Sequence, residues 1–271
     1  MTFVGQAAWI TGASSGIGAA LARALAAQGA RLVLSGRNLE ALEAVAADCA
    51  EALVLPFEST DYAAIAPAVA QAWQWSGGID LLVNNAGISQ RSLAAETSFA
   101  VYERVIGVDL LAPIALTQAI LPRMAARGSG RLVMISSVAG KVGVPLRTAY
   151  SAAKFGLIGY ADALRAETAH LGIKVHVIAP GSIRTEVSRN ALTADGSRRN
   201  ASDSAIDNGI APDLAAAEMI AAITNDEREI IIATGAEKAM GELRRTPDAL
   251  FDQIAGLMAA GYAEKMKAEG S

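Results

Sequence analysis

The chain has 271 residues, of which 52% are hydrophobic and 18% are charged, and its formal net charge is −4. This composition is typical of a globular protein with a sizeable core, and the acidic balance argues against a nucleic-acid partner, which usually meets a basic face. The single cysteine excludes an internal disulfide and suits a reducing compartment.

Short apolar runs alternate with longer stretches of helical spacing along most of the chain. In chain order, strands are predicted at residues 6–11, 31–36, 52–56, 79–84, 131–136, 173–178 and 229–233. Helices are predicted at residues 15–28, 38–50, 61–75, 98–126, 148–171 and 211–224. Parallel neighbours need a long crossover, and continuous apolar strands indicate helices on both faces. The sequence therefore predicts an α/β, Rossmann-like, doubly wound parallel sheet of about seven strands in three layers.

Two segments interrupt this alternation. Residues 186–209 are polar and irregular, and a long insertion of this kind is often a functional lid, here over about residues 186–210; a mobile loop is the alternative. Residues 234–271 have helical spacing and are predicted to be an appended extension that caps the last strand or extends a subunit interface. The whole chain, residues 1–271, is interpreted as a single domain.

A glycine-rich turn follows the first predicted strand and opens the first helix. Glycines permit a tight turn, and the free N–H groups of a helix start attract a pyrophosphate. Such a turn can simply join a strand to a helix, but its place in the first β–α unit favours a dinucleotide. Its spacing, G-x3-G-x-G, departs from the usual fingerprint. The predicted contacts are Gly12, Ser14, Ser15, Gly16, Ile17 and Gly18.

The end of the second predicted strand bears on which dinucleotide binds. Gly36 occupies the position where NAD sites carry an acidic residue for the ribose 2′-hydroxyl, and Arg37 follows it. A guanidinium matches a 2′-phosphate in charge and in geometry. A solvated arginine at a helix start is the alternative. The sequence predicts NADP, with NAD less favoured.

Tyr150 and Lys154 lie four residues apart on a predicted helix, so both side chains project from one face. A phenol is a poor base at neutral pH, but a neighbouring ammonium lowers its pKa. Tyr150 could then donate a proton to a developing alkoxide, or remove one in the reverse direction. Ser137 lies thirteen residues upstream, just after the fifth strand, where ligands gather. The three residues predict interconversion of a carbonyl and an alcohol.

A set of motifs in this order resembles the short-chain dehydrogenase/reductases over roughly residues 5–233. The motifs are residues 11–18, Asn84-Asn85-Ala86-Gly87, Ser137, the Tyr150 and Lys154 pair, and Pro180-Gly181. Residues 88–92 and 190–198 are similar to the dehydrogenase/reductase member-seven subgroup, whose members are partly membrane-associated.

The resemblance implies roles for individual residues. Ser137 rather than its neighbour Ser136 would hold the substrate oxygen, and Lys154 would also bind the nicotinamide ribose. Ile183 through its backbone and Thr185 through its hydroxyl would hold the carboxamide. Glu58 stands where the family usually has an adenine-contacting Asp. The cofactor contacts implied in this way are Glu58, Ser59, Asn85, Ala86, Gly87, Tyr150, Lys154, Pro180, Gly181, Ile183 and Thr185.

One residue departs from the family pattern. The family's fourth catalytic residue is an Asn that holds a relay water, and this chain has Asp109. An ionised Asp loses the amide donor and adds a charge that acts on Lys154. We interpret Asp109 as a functional substitute, and a purely structural role is the alternative.

The sequence also limits location, metals and partners. The N-terminus lacks a basic and apolar leader, and Arg, Glu or Gln interrupt the apolar runs before any reaches the ~18 residues of a membrane span, which predicts a cytoplasmic protein without a membrane partner. His170 and His176 lack a ligand spacing, which predicts no metal. The expected partner is a small carbonyl or alcohol substrate, and the resemblance implies a homodimer or homotetramer.

Two questions about the substrate and the activity stay open at this point. Several arginines fall near the predicted site entrance, where they either recognise an anionic substrate or are solvated loop charges: Arg91, Arg147, Arg184, Arg189, Arg198 and Arg199. The rival functions are an NAD-preferring alcohol dehydrogenase and a non-catalytic nucleotide sensor, whose mark would be loss of Tyr150 or Lys154.

Overall fold

Seven parallel strands form one sheet in the computed structural model, which describes residues 3–243 and 247–261. The strand order is β3-β2-β1-β4-β5-β6-β7, which reverses direction between β1 and β4 as in doubly wound folds. The predicted fold class is confirmed. The strands are β1 (Ala7–Thr11), β2 (Arg31–Ser35), β3 (Ala52–Val54), β4 (Leu81–Asn84), β5 (Gly130–Ile135), β6 (Ile173–Pro180) and β7 (Glu229–Ile232).

The helices connect these strands in the order that the sequence predicts. They are α1 (Gly16–Ala27), α2 (Leu39–Ala46), α3 (Tyr62–Ser76), α4 (Phe99–Ile106), α5 (Ala112–Arg127), α6 (Thr148–Thr168), α7 (Ser204–Asp207), α8 (Pro212–Thr224), α9 (Gly235–Glu242) and α10 (Asp248–Ala259). A π-helical turn, Gly107–Leu111, joins α4 to α5 without a break, so the predicted helix at residues 98–126 is one continuous but irregular helix.

The core has two halves, one on each face of the sheet. Successive side chains of a strand point to opposite faces. Accordingly Ile10 packs with α1 and α8, whereas the adjacent Trp9 packs with α3, α5 and α6. Both residues are fully buried. Continuous apolar strands are therefore explained by helices on both sides, which gives the predicted three layers.

The predicted lid is ordered and docked against the domain. Leu192 forms isolated β-bridges with Gln90 and with Arg198, and a third bridge joins Ile183 to Ile210. Ala191 is fully buried and Leu192 is 5% exposed. The segment thus covers one side of the domain through backbone pairing, and whether it opens stays a prediction.

The C-terminal extension begins with α9 and α10. Gly241 of α9 packs against Ile231 of β7, and Arg228 donates to the carbonyl oxygen of Asp248 at 3.2 Å. Residues 244–246 and 262–271 of the predicted extension lie outside the described residues. The assignment of residues 1–271 to one domain stays a prediction.

The continuous helix Phe99–Arg127 corrects the predicted location. It contains an 18-residue window with a mean hydropathy of 1.7, so it is long and apolar enough to cross a membrane, and 39% of that window is buried inside the protein. The prediction is wrong because isolated polar residues do not interrupt an apolar segment when hydropathy is averaged over a window of that length. The predictions of a cytoplasmic location and of no membrane partner are therefore both withdrawn.

Candidate active site

A cleft of about 890 Å³ lies at the carboxyl ends of the strands. Its wall includes the last residues of four strands, which are Thr11, Ser35, Ile135 and Pro180. Every residue predicted to touch the cofactor or the substrate lines this cleft, except Gly18. The topology therefore brings together residues that are far apart in the sequence, at the edge where open α/β sheets bind ligands.

The glycine turn packs closely against the loop that follows β4. A Cβ added to Gly18 would lie 2.3 Å from the carbonyl oxygen of Gly12 and 2.6 Å from Nδ2 of Asn85, so only glycine fits at this position. Gly18 therefore lies behind the turn and supports it, while Ser14, Ser15, Gly16 and Ile17 face the cleft.

Thr11 holds the two loops together, and the sequence analysis did not assign it. Its Oγ1 accepts hydrogen bonds from the backbone N–H groups of Asn85 at 3.0 Å and Ala86 at 3.1 Å. In return Nδ2 of Asn85 donates to the Thr11 carbonyl oxygen at 2.9 Å. The Asn85 side chain thus links the two strand ends, and its backbone lines the cleft.

Charged and small residues line the outer end of the cleft. Arg37 lies there with its guanidinium 3.6 Å from a carboxylate oxygen of Glu58, and both side chains are exposed to solvent, at 66% and 42%. Glu58 also accepts from the Ser59 hydroxyl at 3.4 Å and the Thr60 N–H at 3.3 Å. The carboxylate is therefore turned towards Arg37 and its own turn.

Ser137, Tyr150 and Lys154 meet at the inner end of the cleft. The Ser137 hydroxyl accepts from the N–H of Ala139 at 3.1 Å and donates to the carbonyl oxygen of Pro180 at 3.3 Å, and it lies close enough to Tyr150 to lower the pKa of the phenol. The Lys154 ammonium lies 5.6 Å from the centre of the Tyr150 ring and donates to the carbonyl oxygen of Ile135 at 2.9 Å. Two hydroxyls and one buried cation therefore converge, as the spacing predicted.

The neighbouring Ser136 has a different role. Its hydroxyl donates to the carbonyl oxygen of Lys154 at 3.0 Å and so fastens the end of β5 to α6. This contact engages the Ser136 hydroxyl in packing, whereas Ser137 meets Tyr150. Both serines line the cleft, and the choice of Ser137 over Ser136 as the residue that holds the substrate oxygen stays a prediction.

Asp109 lies in the π-helical turn and is fully buried. Its Oδ1 accepts from the backbone N–H of Ile88 at 2.8 Å, and its Oδ2 lies 3.2 Å from the Lys154 ammonium. Single π-helical turns inside α-helices are frequent at functional sites. The carboxylate therefore joins the loop after β4 to α6 through an ion pair that is shielded from water.

Burial, and after it this ion pair, shift the pKa of Tyr150. Removal from water raises the pKa of Tyr150, Lys154 lowers it, and Asp109 raises it, with a net increase. Burial alone would lower the pKa of Lys154, but Asp109 and then Tyr150 raise it above the ordinary value. Burial likewise raises the pKa of Asp109 against the influence of Lys154. Asp109 therefore keeps Lys154 charged and offsets part of its effect on the phenol.

Gln90 is a second residue that sequence reasoning missed. Its Oε1 accepts from the N–H of Ala149 at 3.0 Å, in the first turn of α6 and next to Tyr150. Its Nε2 donates to the Ser92 carbonyl oxygen at 3.1 Å. A fully buried amide thus caps the helix that carries the catalytic pair. The cap comes from 59 residues away, so local sequence gave no signal for it.

Four of the six arginines near the entrance pair with carboxylates of the protein, whereas Arg184 and Arg198 are exposed. Arg91 and Arg199 both hydrogen-bond to Asp203, at 2.9 and 2.6 Å, and Arg147 lies 3.5 Å from the same carboxylate. Arg189 pairs with Glu186 at 2.9 Å. The arginines around Asp203 fasten the lid, and Arg189 remains half exposed in its pair with Glu186.

Comparison with known proteins defines the class. The family model described as short chain dehydrogenase matches residues 6–196. The chain therefore belongs to the short-chain dehydrogenase family and is an oxidoreductase of a family that uses NAD or NADP.

Individual relatives refine this assignment. The chain is 39% identical to the dehydrogenase/reductase SDR family member 7B of Bos taurus, over 97% of this chain and 83% of the relative. Among solved structures, it resembles a metagenomic short-chain oxidoreductase in complex with NADP, with 33% identity, a TM-score of 0.71, and coverage of 86% of this chain and 98% of the other. It also resembles levodione reductase, with 26% identity, a TM-score of 0.76, and coverage of 88% and 99%.

The predicted resemblance to the member-seven subgroup is confirmed. This similarity, together with helix Phe99–Arg127, contradicts the predicted cytoplasmic location. Proteins of this family act on small molecules and are often oligomeric; the homodimer or homotetramer stays a prediction.

Proposed function

We propose that the chain interconverts a ketone or aldehyde and the corresponding alcohol, with NADP(H) as cofactor. One observation carries the proposal: Ser137 and Tyr150 line the same cleft beside the buried ammonium of Lys154, whose nitrogen lies 5.6 Å from the centre of the Tyr150 ring. Two hydroxyl donors at one point match the single oxygen of a carbonyl, because both can point to its lone pairs.

The residues of the cleft fit a nicotinamide dinucleotide along its length. The N-terminus of α1 offers backbone N–H groups for a pyrophosphate, because the side chain of the N-cap residue Ser15 makes no hydrogen bond to them. Gly36 and Arg37 suit the 2′-phosphate at the outer end, and Ile183 and Thr185 suit the carboxamide at the inner end. The NADP complex of the metagenomic relative supports the same choice of cofactor.

The protein's own contribution is to orient the substrate and to move one proton. When bound, the cofactor supplies or accepts the hydride. Ser137 and Tyr150 hold the substrate oxygen, and Tyr150 donates its hydroxyl proton as negative charge develops on that oxygen. Lys154 stabilises the phenolate that remains, and Asp109 and the Ile135 carbonyl oxygen hold the ammonium in place. In alcohol oxidation the proton returns to the phenolate.

The proposal is tested by following NADPH absorbance with a panel of ketones and aldehydes. We expect turnover of at least one carbonyl compound, and parallel assays with NADH measure the cofactor preference. Tight binding of NADPH without turnover across a broad panel would support a nucleotide-sensing protein instead. A tenfold preference for NADH would refute the NADP assignment.

Asp109→Asn is expected to change the pH dependence more than the maximal rate. Removal of the negative charge lowers the pKa of Tyr150, because Asp109 raises it. Reduction requires the protonated phenol, so its alkaline loss of rate should begin at a lower pH in the variant. At neutral pH the rate should stay within about tenfold, or ~1.4 kcal/mol of barrier.

The control for this variant is Asp213→Asn, which removes an exposed carboxylate from the first turn of α8. It should leave the pH profile of reduction where the unmodified chain has it. The measurement is kcat against pH for both variants. An unshifted profile, or complete loss of turnover in a folded Asp109→Asn protein, contradicts this role of Asp109.

A further inference from the structure

Helix α9, at the start of the C-terminal extension, makes direct contact with the segment that follows β6. Oε2 of Glu237 accepts the backbone N–H of Ser182 at 2.8 Å, and Oε1 lies 3.3 Å from the Ser182 hydroxyl. Both oxygens of one carboxylate therefore bind one residue, 55 positions away in the sequence. Hydrogen bonds to an ionised acceptor are stronger than neutral ones.

Gly181 makes this contact possible. A Cβ at that position would lie 2.4 Å from Oε2 of Glu237 and 2.8 Å from the Cβ of Ala233, so any larger residue would displace the Glu237 carboxylate from this place. The N–H of Gly181 donates to the carbonyl oxygen of Ile232 at 2.9 Å, which ties the same point to the end of β7. The absence of a side chain at Gly181 therefore leaves the space that the Glu237 carboxylate occupies.

The other side of the segment is held by the end of the lid. The Ser182 carbonyl oxygen accepts from the N–H of Ile210 at 2.9 Å, and the N–H of Arg184 donates to the Ile210 carbonyl oxygen at 2.9 Å. Ser182 is thus held at its carbonyl by the lid and at its N–H by the extension. The next residue, Ile183, is 2% exposed and lines the cleft.

We propose that Glu237 is a positioning residue for the nicotinamide end of the cofactor site. It fixes Gly181 and Ser182, so that Ile183 and Thr185 are correctly placed for the carboxamide. The inference rests on the proposed function, since it requires that a nicotinamide cofactor binds there. It also gives the start of the C-terminal extension a role in the site itself.

The test compares two ligands that differ only at that end: NADPH, and 2′-phospho-ADP-ribose, which lacks the nicotinamide. Binding to the full chain is measured by titration calorimetry. Glu237→Ala should weaken NADPH binding about tenfold in Kd and leave the Kd of 2′-phospho-ADP-ribose within about twofold. Glu237→Gln should bind nearly as the unmodified chain does, because its amide can accept from the Ser182 N–H and donate to the hydroxyl. NADH and ADP-ribose serve as the second ligand pair if NADH binds more tightly.

Glu242→Ala is the matched control, because Glu242 is an exposed carboxylate on the same helix. It should change neither Kd. Equal losses for both ligands in Glu237→Ala would indicate general distortion and overturn the proposal, as would an unchanged affinity for NADPH. If the unmodified chain binds none of the four ligands, the proposed function is wrong, and this result is obtained before any variant is measured.

Discussion

Tyr150→Phe is expected to lower kcat/KM for carbonyl reduction about a thousandfold, while the Kd for NADPH changes less than twofold. The substitution removes the proton donor and leaves the ring beside Lys154 in place. A loss of that size corresponds to ~4 kcal/mol of barrier, within the range observed for removal of a general acid. The measurement combines steady-state kinetics on the best substrate of the panel with calorimetric titration of NADPH.

Tyr102→Phe is the control for this variant. The Tyr102 hydroxyl is hydrogen-bonded to that of Thr148 at 2.7 Å, at the beginning of the helix that carries Tyr150. Its loss removes a phenol from the same neighbourhood but not from the reacting oxygen, so kcat/KM should fall less than threefold. If Tyr150→Phe retains more than a fifth of the activity, the proton comes from another group, and the proposed mechanism is wrong.

Gly36→Asp should shift the ratio of kcat/KM with NADPH to that with NADH at least about a hundredfold towards NADH. A Cβ at Gly36 would lie 3.6 Å from a methyl carbon of Leu42 and 3.7 Å from the Ser14 hydroxyl, both ordinary contact distances. The new carboxylate would repel a 2′-phosphate and accept a hydrogen bond from a 2′-hydroxyl. A hundredfold change corresponds to ~2.7 kcal/mol.

Arg37→Ala removes the attraction of the guanidinium for the 2′-phosphate without adding the repulsion that Gly36→Asp introduces. The ion pair of Arg37 with Glu58 is long and exposed, so it contributes little and leaves the guanidinium able to bind a phosphate. We expect about a tenfold loss with NADPH and little change with NADH. Arg23→Ala, at another exposed ion pair of similar kind, should change neither. An Arg37→Ala protein with undiminished efficiency towards NADPH would rule out this role of the arginine.

Most of the strands were predictable because they are short apolar runs buried on both faces, and only the edge strand β3 is partly buried throughout. Trp9 and Ile10 illustrate this: adjacent residues belong to opposite halves of the core, so polar alternation is absent and the run stands out in the sequence. The grouping of Ser137, Tyr150 and Lys154 in one cleft was predictable for a related reason. Its members lie at strand and helix positions that the doubly wound topology brings to one edge.

The missed features depend on contacts between distant segments. Thr11, Gln90 and Glu237 act through partners 74, 59 and 55 residues away, and no local pattern distinguishes them from ordinary polar residues. The π-helical turn around Asp109 also escaped prediction, because hydrophobic spacing does not separate one irregular turn from a regular helix. The location was wrong for a different reason, since the apolar content of Phe99–Arg127 was underestimated.

The pairing of the lid with the loop after β4 limits how this protein can be re-engineered. The Leu192 N–H donates to the Ser89 carbonyl oxygen, and the Arg91 N–H donates to the Leu192 carbonyl oxygen, each at 2.8 Å. Between these two bonds lies Gln90, whose side chain caps the catalytic helix. A lid transferred alone from a homologue would therefore have to pair with residues 89–91 of this chain, and a poor fit there would disturb the Gln90 cap on α6. To alter the substrate range, the lid and residues 88–92 should be replaced together.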